Sequence, residues 1–460
     1  MSGKTLLLTS WGQPALWRDV VYVTDTGVEG FKCCTSLLPL LKSLNERIDV
    51  VIVILDSLMD KLEKRLESPC YRCYENALKG IDVSSAKSYE ELKNSLSNST
   101  KEFIECLVKE YSFNKEIALR KVVVGPAVGS PGGNWMFEGN AMDYEAIVLE
   151  EVSELCFEEP YQRLVLDLTH GINFMPSILM RLAHRLASIL LVAHEELKEV
   201  RLTVYNSDPV SSVAGEQKIN LNVIVDEIVK NIQLIHRMPP PIEKRGNIRR
   251  PLQGIPEHLK SMYYGVVKHI LSSLYYPSPL ALYEFTVEER CEEVNKLAEE
   301  VLKLWLEHVE VDHQNLRVKR WLSMCPDSVY AILLSKAVCK RLGRHDGLLD
   351  LASAEKLAEV YGRVHEALYE LVNHELSKIK CRIVKREIEK KPERSGECVQ
   401  QEDRVSSGRK ADKRIMIAHA GFQECLVEIN PHGKMKYIKN AETILREAGL
   451  LIGTSKGCKE

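Results

Sequence analysis

From the first residue to about Asp208, short apolar runs rich in β-branched residues alternate with longer stretches of helical period. Residues 4–9, 49–55, 121–125, 163–168 and 201–205 are almost wholly apolar, which predicts strands buried on both faces. Between them, residues 35–45, 88–111, 144–157 and 176–199 carry the spacing of helices that bury one side. Such alternation predicts an α/β unit, a Rossmann-like parallel sheet covered by helices. A helical period over 219–237 then runs into Met238-Pro239-Pro240-Pro241-Ile242, where no helix can continue, and into a basic stretch at 243–250 read as solvated linker. Beyond Pro256 the pattern is helical: 257–274, 287–308, 328–342, 352–385 and 412–424. The expected domains are therefore 1–215, a helical and proline-rich connector at 216–256, and an all-α unit at 257–460. Residues 385–413, rich in charge, Gly and Ser, read as a mobile insertion within that unit.

In Rossmann-like sheets ligands gather where strands end, so the residues after each run carry the information. They are Ser10-Trp11-Gly12-Gln13-Pro14, then Asp56-Ser57, then the glycine-rich stretch Gly125 to Trp135. The fourth and fifth are Thr169-His170-Gly171-Ile172-Asn173 and Asn206-Ser207-Asp208-Pro209. Small, hydroxyl and amide groups crowd one edge, as a nucleotide phosphate or base requires. The glycine spacing fits neither a dinucleotide fingerprint nor a Walker loop, so hydride transfer and ATP hydrolysis are weak readings.

Composition narrows the class without deciding it. The 460-residue chain has 45% hydrophobic and 28% charged residues and a formal charge of -3, so any nucleic-acid site is local rather than a basic coat. Ile178 to His194 is the most apolar helical stretch, but Arg181, His184 and Arg185 interrupt it, and no signal peptide is legible. A cytoplasmic protein with no membrane partner is expected. The 13 cysteines are scattered, and Cys70-x-x-Cys73 has no second pair at a matching spacing. No metal site is expected; the cysteines read as buried thiols, with a local Cys70–Cys73 bridge as the minor alternative.

Near the C-terminus, Arg414-Ile415-Met416-Ile417-Ala418-His419 sets a permanent cation five residues before an imidazole. An Arg can hold a phosphate and a His can move protons near neutral pH. A chain with 13 histidines presents such a spacing about once by chance, so alone it says little.

Two features together resemble one family. Leu166-Asp167-Leu168-Thr169-His170-Gly171-Ile172-Asn173-Phe174-Met175-Pro176, with Tyr205-Asn206-Ser207-Asp208-Pro209, resembles the CARF sensor domain of CRISPR-associated Csx-type ribonucleases of type III systems. Arg414 to His419, followed by Ala420-Gly421-Phe422, is similar to the HEPN domain of the same proteins, in the same order along the chain. The resemblance implies an endoribonuclease that cleaves single-stranded RNA without metal, leaving 2′,3′-cyclic phosphate ends. Its implied activator is a cyclic oligoadenylate, the tetra-adenylate favoured over the hexa-adenylate, held between two CARF domains of a homodimer or higher oligomer. Ser10, Trp11, Gly12, Thr169, His170, Gly171 and Asn173 would face the activator, with Asn206 and Ser207 beside them; Arg414 and His419 would be catalytic. Ile415 departs from the polar residue often found after the Arg. The rival class is a non-enzymatic cyclic-nucleotide-responsive regulator whose helical part binds nucleic acid, although no helix-turn-helix with a basic recognition helix is legible.

Overall fold

The computed structural model describes residues 3–24, 30–44, 47–61, 68–79, 81, 86, 88–209, 217–245, 256–389, 410–430 and 432–454. Its strands begin with β1 (Lys4–Trp11), β2 (Val20–Thr24), β3 (Phe31–Cys33), β4 (Ile48–Leu55), β5 (Ala118–Gly125) and β6 (Met136–Glu138). They continue with β7 (Tyr161–Asp167), β8 (Val200–Ser207) and β9 (Lys218–Val229). All but β6 form one sheet in the order β3-β2-β9-β8-β7-β1-β4-β5. Its centre is parallel, β8-β7-β1-β4-β5, and built from the apolar runs: Leu6 to Leu8, Val50 to Ile54 and Leu164 to Leu166 are fully buried. The helices Tyr89–Glu110, Met142–Glu158 and Met175–Ala193 occupy the intervals that the pattern reserves for them. Met175–Ala193 is long and apolar enough to cross a membrane, but 72% of it is buried within the fold, where it serves as a core helix.

Several expectations are corrected. The stretch read as a helix from residue 219 is strand β9: Ile219, Leu221, Val223 and Val225 alternate, and the strand runs antiparallel to β8 with Tyr205 opposite Val223. The β-branched residues fit a pleated surface, and tertiary pairing overrides the weaker 3.6-residue pattern. With β9 and the antiparallel β2-β3 pair, the sheet is mixed rather than purely parallel. The second correction is that the C-terminal half is not all-α. Val309–Asp312 and Arg317–Arg320 form a hairpin whose second strand pairs with β6, and Leu322–Met324 pairs with Ile242–Lys244. Asp312 accepts bonds from the amides of Gln314 and Asn315, and Leu316 takes a left-handed φ of 50°, which closes the turn. The C-terminal half therefore reaches into the N-terminal unit.

The third correction concerns sulfur. Among the described residues, Cys34–Cys70, Cys73–Cys106 and Cys291–Cys339 are disulfides, so Cys70 and Cys73 bond to different neighbours and not to each other. Both sit on helix Pro69–Ala77, which is thereby tied to the segment after β3 and to helix Tyr89–Glu110. Residues 352–385, read as one helix, form two, Leu351–Val364 and Glu366–Glu389, broken at an extended His365. The greater part of the expected insertion at 385–413, residues 390–409, lies outside the described residues, as does 246–250 of the basic stretch.

Candidate functional site

At the carboxyl edge of the sheet the organising group is Asp167, the fully buried last residue of β7. Thr9 Oγ1 and Ser36 Oγ both donate to its Oδ2, at 2.9 and 2.6 Å, and the Thr169 amide donates to Oδ1 at 3.1 Å. A buried carboxylate needs such donors, and here they bind three chain segments into one floor. His170 follows. Its Nε2 receives the Ser36 amide and lies 3.2 Å from the Tyr22 hydroxyl, while its ring packs on Trp17 with centroids 4.2 Å apart. Accepting from an amide assigns the neutral tautomer with the proton on Nδ1. Burial pushes the imidazole down to about 4, against the opposing pull of Asp167.

Two glycines let the loops after β1 and β7 touch. The Gly12 amide donates to the His170 carbonyl at 2.8 Å, and a Cβ at Gly12 would meet Ile172 at 2.4 Å. A Cβ on Gly171 would meet Ser10 Oγ at 2.5 Å. Asn173 is exposed in a left-handed conformation, φ 52°, just before helix Met175–Ala193. Asn206 and Ser207 end β8 half-buried, with the Asn206 side chain accepting from the Ser207 amide.

The edge thus gathers Gly12, Thr169, His170, Gly171 and Asn173. Trp11 is not brought there: it is the last residue of β1, fully buried, and its ring packs edge-on against Trp17 and Phe103. Ser10 is likewise a buried strand residue, its hydroxyl directed at Gly171. Among the described residues the buried hydroxyls of Ser10 and Thr169 have no hydrogen-bond partner. Tyr22, Trp17 and Ser36 are not legible as edge residues, because they come from β2 and from the segments before β2 and after β3 rather than from the motif.

The second constellation lies on a short helix, Lys413–Ala418. Asp412 caps it, accepting from the amides of Arg414 at 2.9 Å and Ile415 at 3.0 Å. Met416 is fully buried and anchors the helix, leaving Arg414, Ile415 and Ile417 exposed. His419 ends it, its amide bonded to the Ile415 carbonyl, and the chain turns away through Ala420 and Gly421 at φ 44° and 76°. A side chain on Gly421 would stand 2.9 Å from Ser278, so the turn demands glycine.

His419 Nδ1 lies 3.3 Å from Oε2 of Glu375, a 6% exposed residue of helix Glu366–Glu389 whose other oxygen holds Lys378. A carboxylate at Nδ1 orients an imidazole and directs Nε2 outward. Glu375 carries no local sequence signal, since its partner is remote in the chain. Arg414 is exposed and forms no ion pair among the described residues.

A sheet that collects hydroxyl, imidazole and glycine groups at its carboxyl edge places the first half in the Rossmann-like ligand-binding class. Residues 6–209 match the family model of the CARF domain of CRISPR system endoribonuclease Csx1. The chain is also 26% identical, over 337 residues, to the CRISPR system endoribonuclease Csx1 of Methanocaldococcus jannaschii. That similarity covers 69% of this chain and 63% of the relative.

Proposed function

We propose that the protein is a metal-independent endoribonuclease of type III CRISPR antiviral defence. It cleaves single-stranded RNA through the RNA 2′-hydroxyl and is activated by cyclic oligoadenylate. The observation that carries this reading is the half-exposed His419, backed by buried Glu375, at the end of the same short helix that bears the exposed Arg414. The relation of residues 6–209 to the Csx1 CARF domain supports the activator, and the name of the methanogen relative supports the reaction.

RNA supplies its own nucleophile, so the protein must provide in-line geometry, proton transfer and a counter-charge. Nε2 of His419 exchanges the proton of the 2′-hydroxyl or of the leaving 5′-oxygen, which contributes about 10²–10⁴ in rate. Arg414 holds the non-bridging oxygens as charge accumulates on phosphorus. One His and one Arg are sparse for both proton transfers, so the working HEPN site is composite, with a second copy of the helix across a two-fold axis. The exposed Ile415 and Ile417, at 43% and 36%, support such a partner, since each would gain by being covered. At the other end, two copies of the CARF edge present equivalent loops to a symmetric ring, the tetra-adenylate favoured over the hexa-adenylate.

The test is incubation of the purified protein with labelled single-stranded RNA in EDTA, with and without cyclic tetra- and hexa-adenylate. Cleavage to 2′,3′-cyclic phosphate ends, stimulated by the ring and abolished in His419→Ala, is expected. Ring binding and RNA binding without cleavage would instead identify a regulator.

A further inference from the structure

Beside the Arg414 helix runs the segment Tyr275-Tyr276-Pro277-Ser278, which follows helix Lys268–Tyr275 and takes no part in the mechanism above. It is fixed at both ends of the catalytic turn. At one end, Lys413 Nζ lies 5.5 Å from the centroid of the Tyr276 ring, and Lys413 immediately precedes Arg414. At the other, Ser278 approaches Gly421 so closely that a Cβ there would stand 2.9 Å from its Cα. The segment itself is held from behind: Tyr361 accepts the Ser278 amide at 3.1 Å and donates to the Ser273 carbonyl at 2.7 Å. The Tyr275 and Tyr276 rings stand edge to face with centroids 4.9 Å apart, and Tyr275 is 42% exposed. The exposed Tyr275 face thus packs on the ring that Lys413 covers, one residue before Arg414 in the chain.

Resting on the ribonuclease reading, we infer that Tyr275 and Tyr276 form a base-stacking platform for a nucleotide flanking the scissile phosphate, with Lys413 holding the adjoining phosphate. Every base has a π-face, so stacking positions a single strand without reading its sequence, and a duplex, whose bases are already stacked, is refused. The helix Lys413–Ala418 has six residues and spans about 9 Å, roughly one to two nucleotides of an extended strand, so a phosphate at Arg414 brings a neighbouring base to the platform. Lys413 contributes by charge and therefore with a salt dependence, Tyr275 by its face.

The test measures single-stranded RNA cleavage by activated Tyr275→Ala, Tyr275→Trp and Lys413→Met, and RNA binding by fluorescence anisotropy for the same changes placed on His419→Ala. Tyr275→Ala is expected to raise KM and Kd by about 5- to 100-fold with kcat held within about threefold, and Tyr275→Trp to restore both. Lys413→Met should weaken binding and lower the salt slope by about one. Equal KM and Kd in Tyr275→Ala and wild type, or an effect that tryptophan does not rescue in a protein with unchanged thermal unfolding, overturns the platform. If the wild type binds RNA through Tyr275 and does not cleave it, the platform stands and the ribonuclease reading falls. If the wild type neither binds nor cleaves, both fall.

Discussion

Arg320, from the last position of the hairpin strand Arg317–Arg320, forms a fully buried ion pair with Asp56 at the carboxyl end of β4. The same guanidinium donates to the Ala127 carbonyl at 2.8 Å, just past β5, and lies over the Tyr89 ring at 5.6 Å. Asp56 in turn accepts from the Ala127 amide and the Tyr89 hydroxyl, each at 2.8 Å. A cation from the C-terminal half therefore closes the space between two strand ends of the eight-stranded sheet. Removing one member leaves the other charge buried and uncompensated, whereas a neutral pair of similar shape is tolerated. Arg320→Met is expected to lower unfolding free energy by about 3–5 kcal/mol in denaturant titration, and the double variant Arg320→Met with Asp56→Asn to recover part of that loss. A single variant as stable as wild type would remove this pair from the account of how the halves are joined.

Oε2 of Glu375 lies 3.3 Å from Nδ1 of His419, so on the proposed ribonuclease reading Glu375 is a positioning residue for the imidazole. Glu375→Gln keeps shape and loses charge, and with it the preference for the tautomer that frees Nε2. The kcat of activated cleavage is expected to fall about 10- to 100-fold with KM nearly unchanged, less than the loss in His419→Ala, which forgoes the whole proton-transfer factor of about 10²–10⁴. A Gln variant with wild-type kcat would leave Glu375 a structural residue only.

Which of these relationships could be read from the chain depends on how far apart their partners lie. Leu6 to Leu8 and Val50 to Ile54 announce buried parallel strands because continuous apolar runs have few other uses, and Pro176 marks a helix start. Thr169-His170-Gly171 is legible because the whole constellation is contiguous, the glycine being needed against Ser10. Strand β9 is not legible because Asn220, Asn222 and the acidic pair Asp226-Glu227 sit where either period tolerates them, and only pairing with β8 decides. Glu375, Ser36 and Arg320 are invisible for the same reason. Each meets its partner from another element, and nothing in the local sequence names that element.

The disulfides give a prediction of the same long-range kind. Cys34–Cys70 closes a 36-residue separation, and Cys34 stands two residues before Ser36, whose hydroxyl and amide hold Asp167 and His170. In the chain-entropy account a loop of that length contributes about 4 kcal/mol at most. Cys70→Ser is expected to lower the melting temperature under non-reducing conditions and to weaken cyclic oligoadenylate binding. Reductant should lower the wild type toward the variant. Identical melting with and without reductant, in protein shown by thiol titration to be oxidised, would sink the idea.

His170 sets a pH dependence whose sign follows from its burial. Its folded-state value lies near 4, below the usual imidazole range near 6.5, so the unfolded chain takes up a proton between these values that the native protein refuses. The stabilisation is fully present above about pH 6.5 and is lost as pH falls through about 4. His170→Gln removes the titration while retaining an amide that can accept from Ser36, and it is expected to flatten that segment of the stability curve after an offset at neutral pH. Because His170 is neutral from pH 5.5 to 8, cyclic oligoadenylate binding by the wild type should change less than about twofold across that range in calorimetric titrations. A tenfold gain in affinity on acidification through pH 6.5, absent in His170→Gln, would show instead that the ring charges when the anionic ligand arrives and that Nδ1–H meets a phosphate.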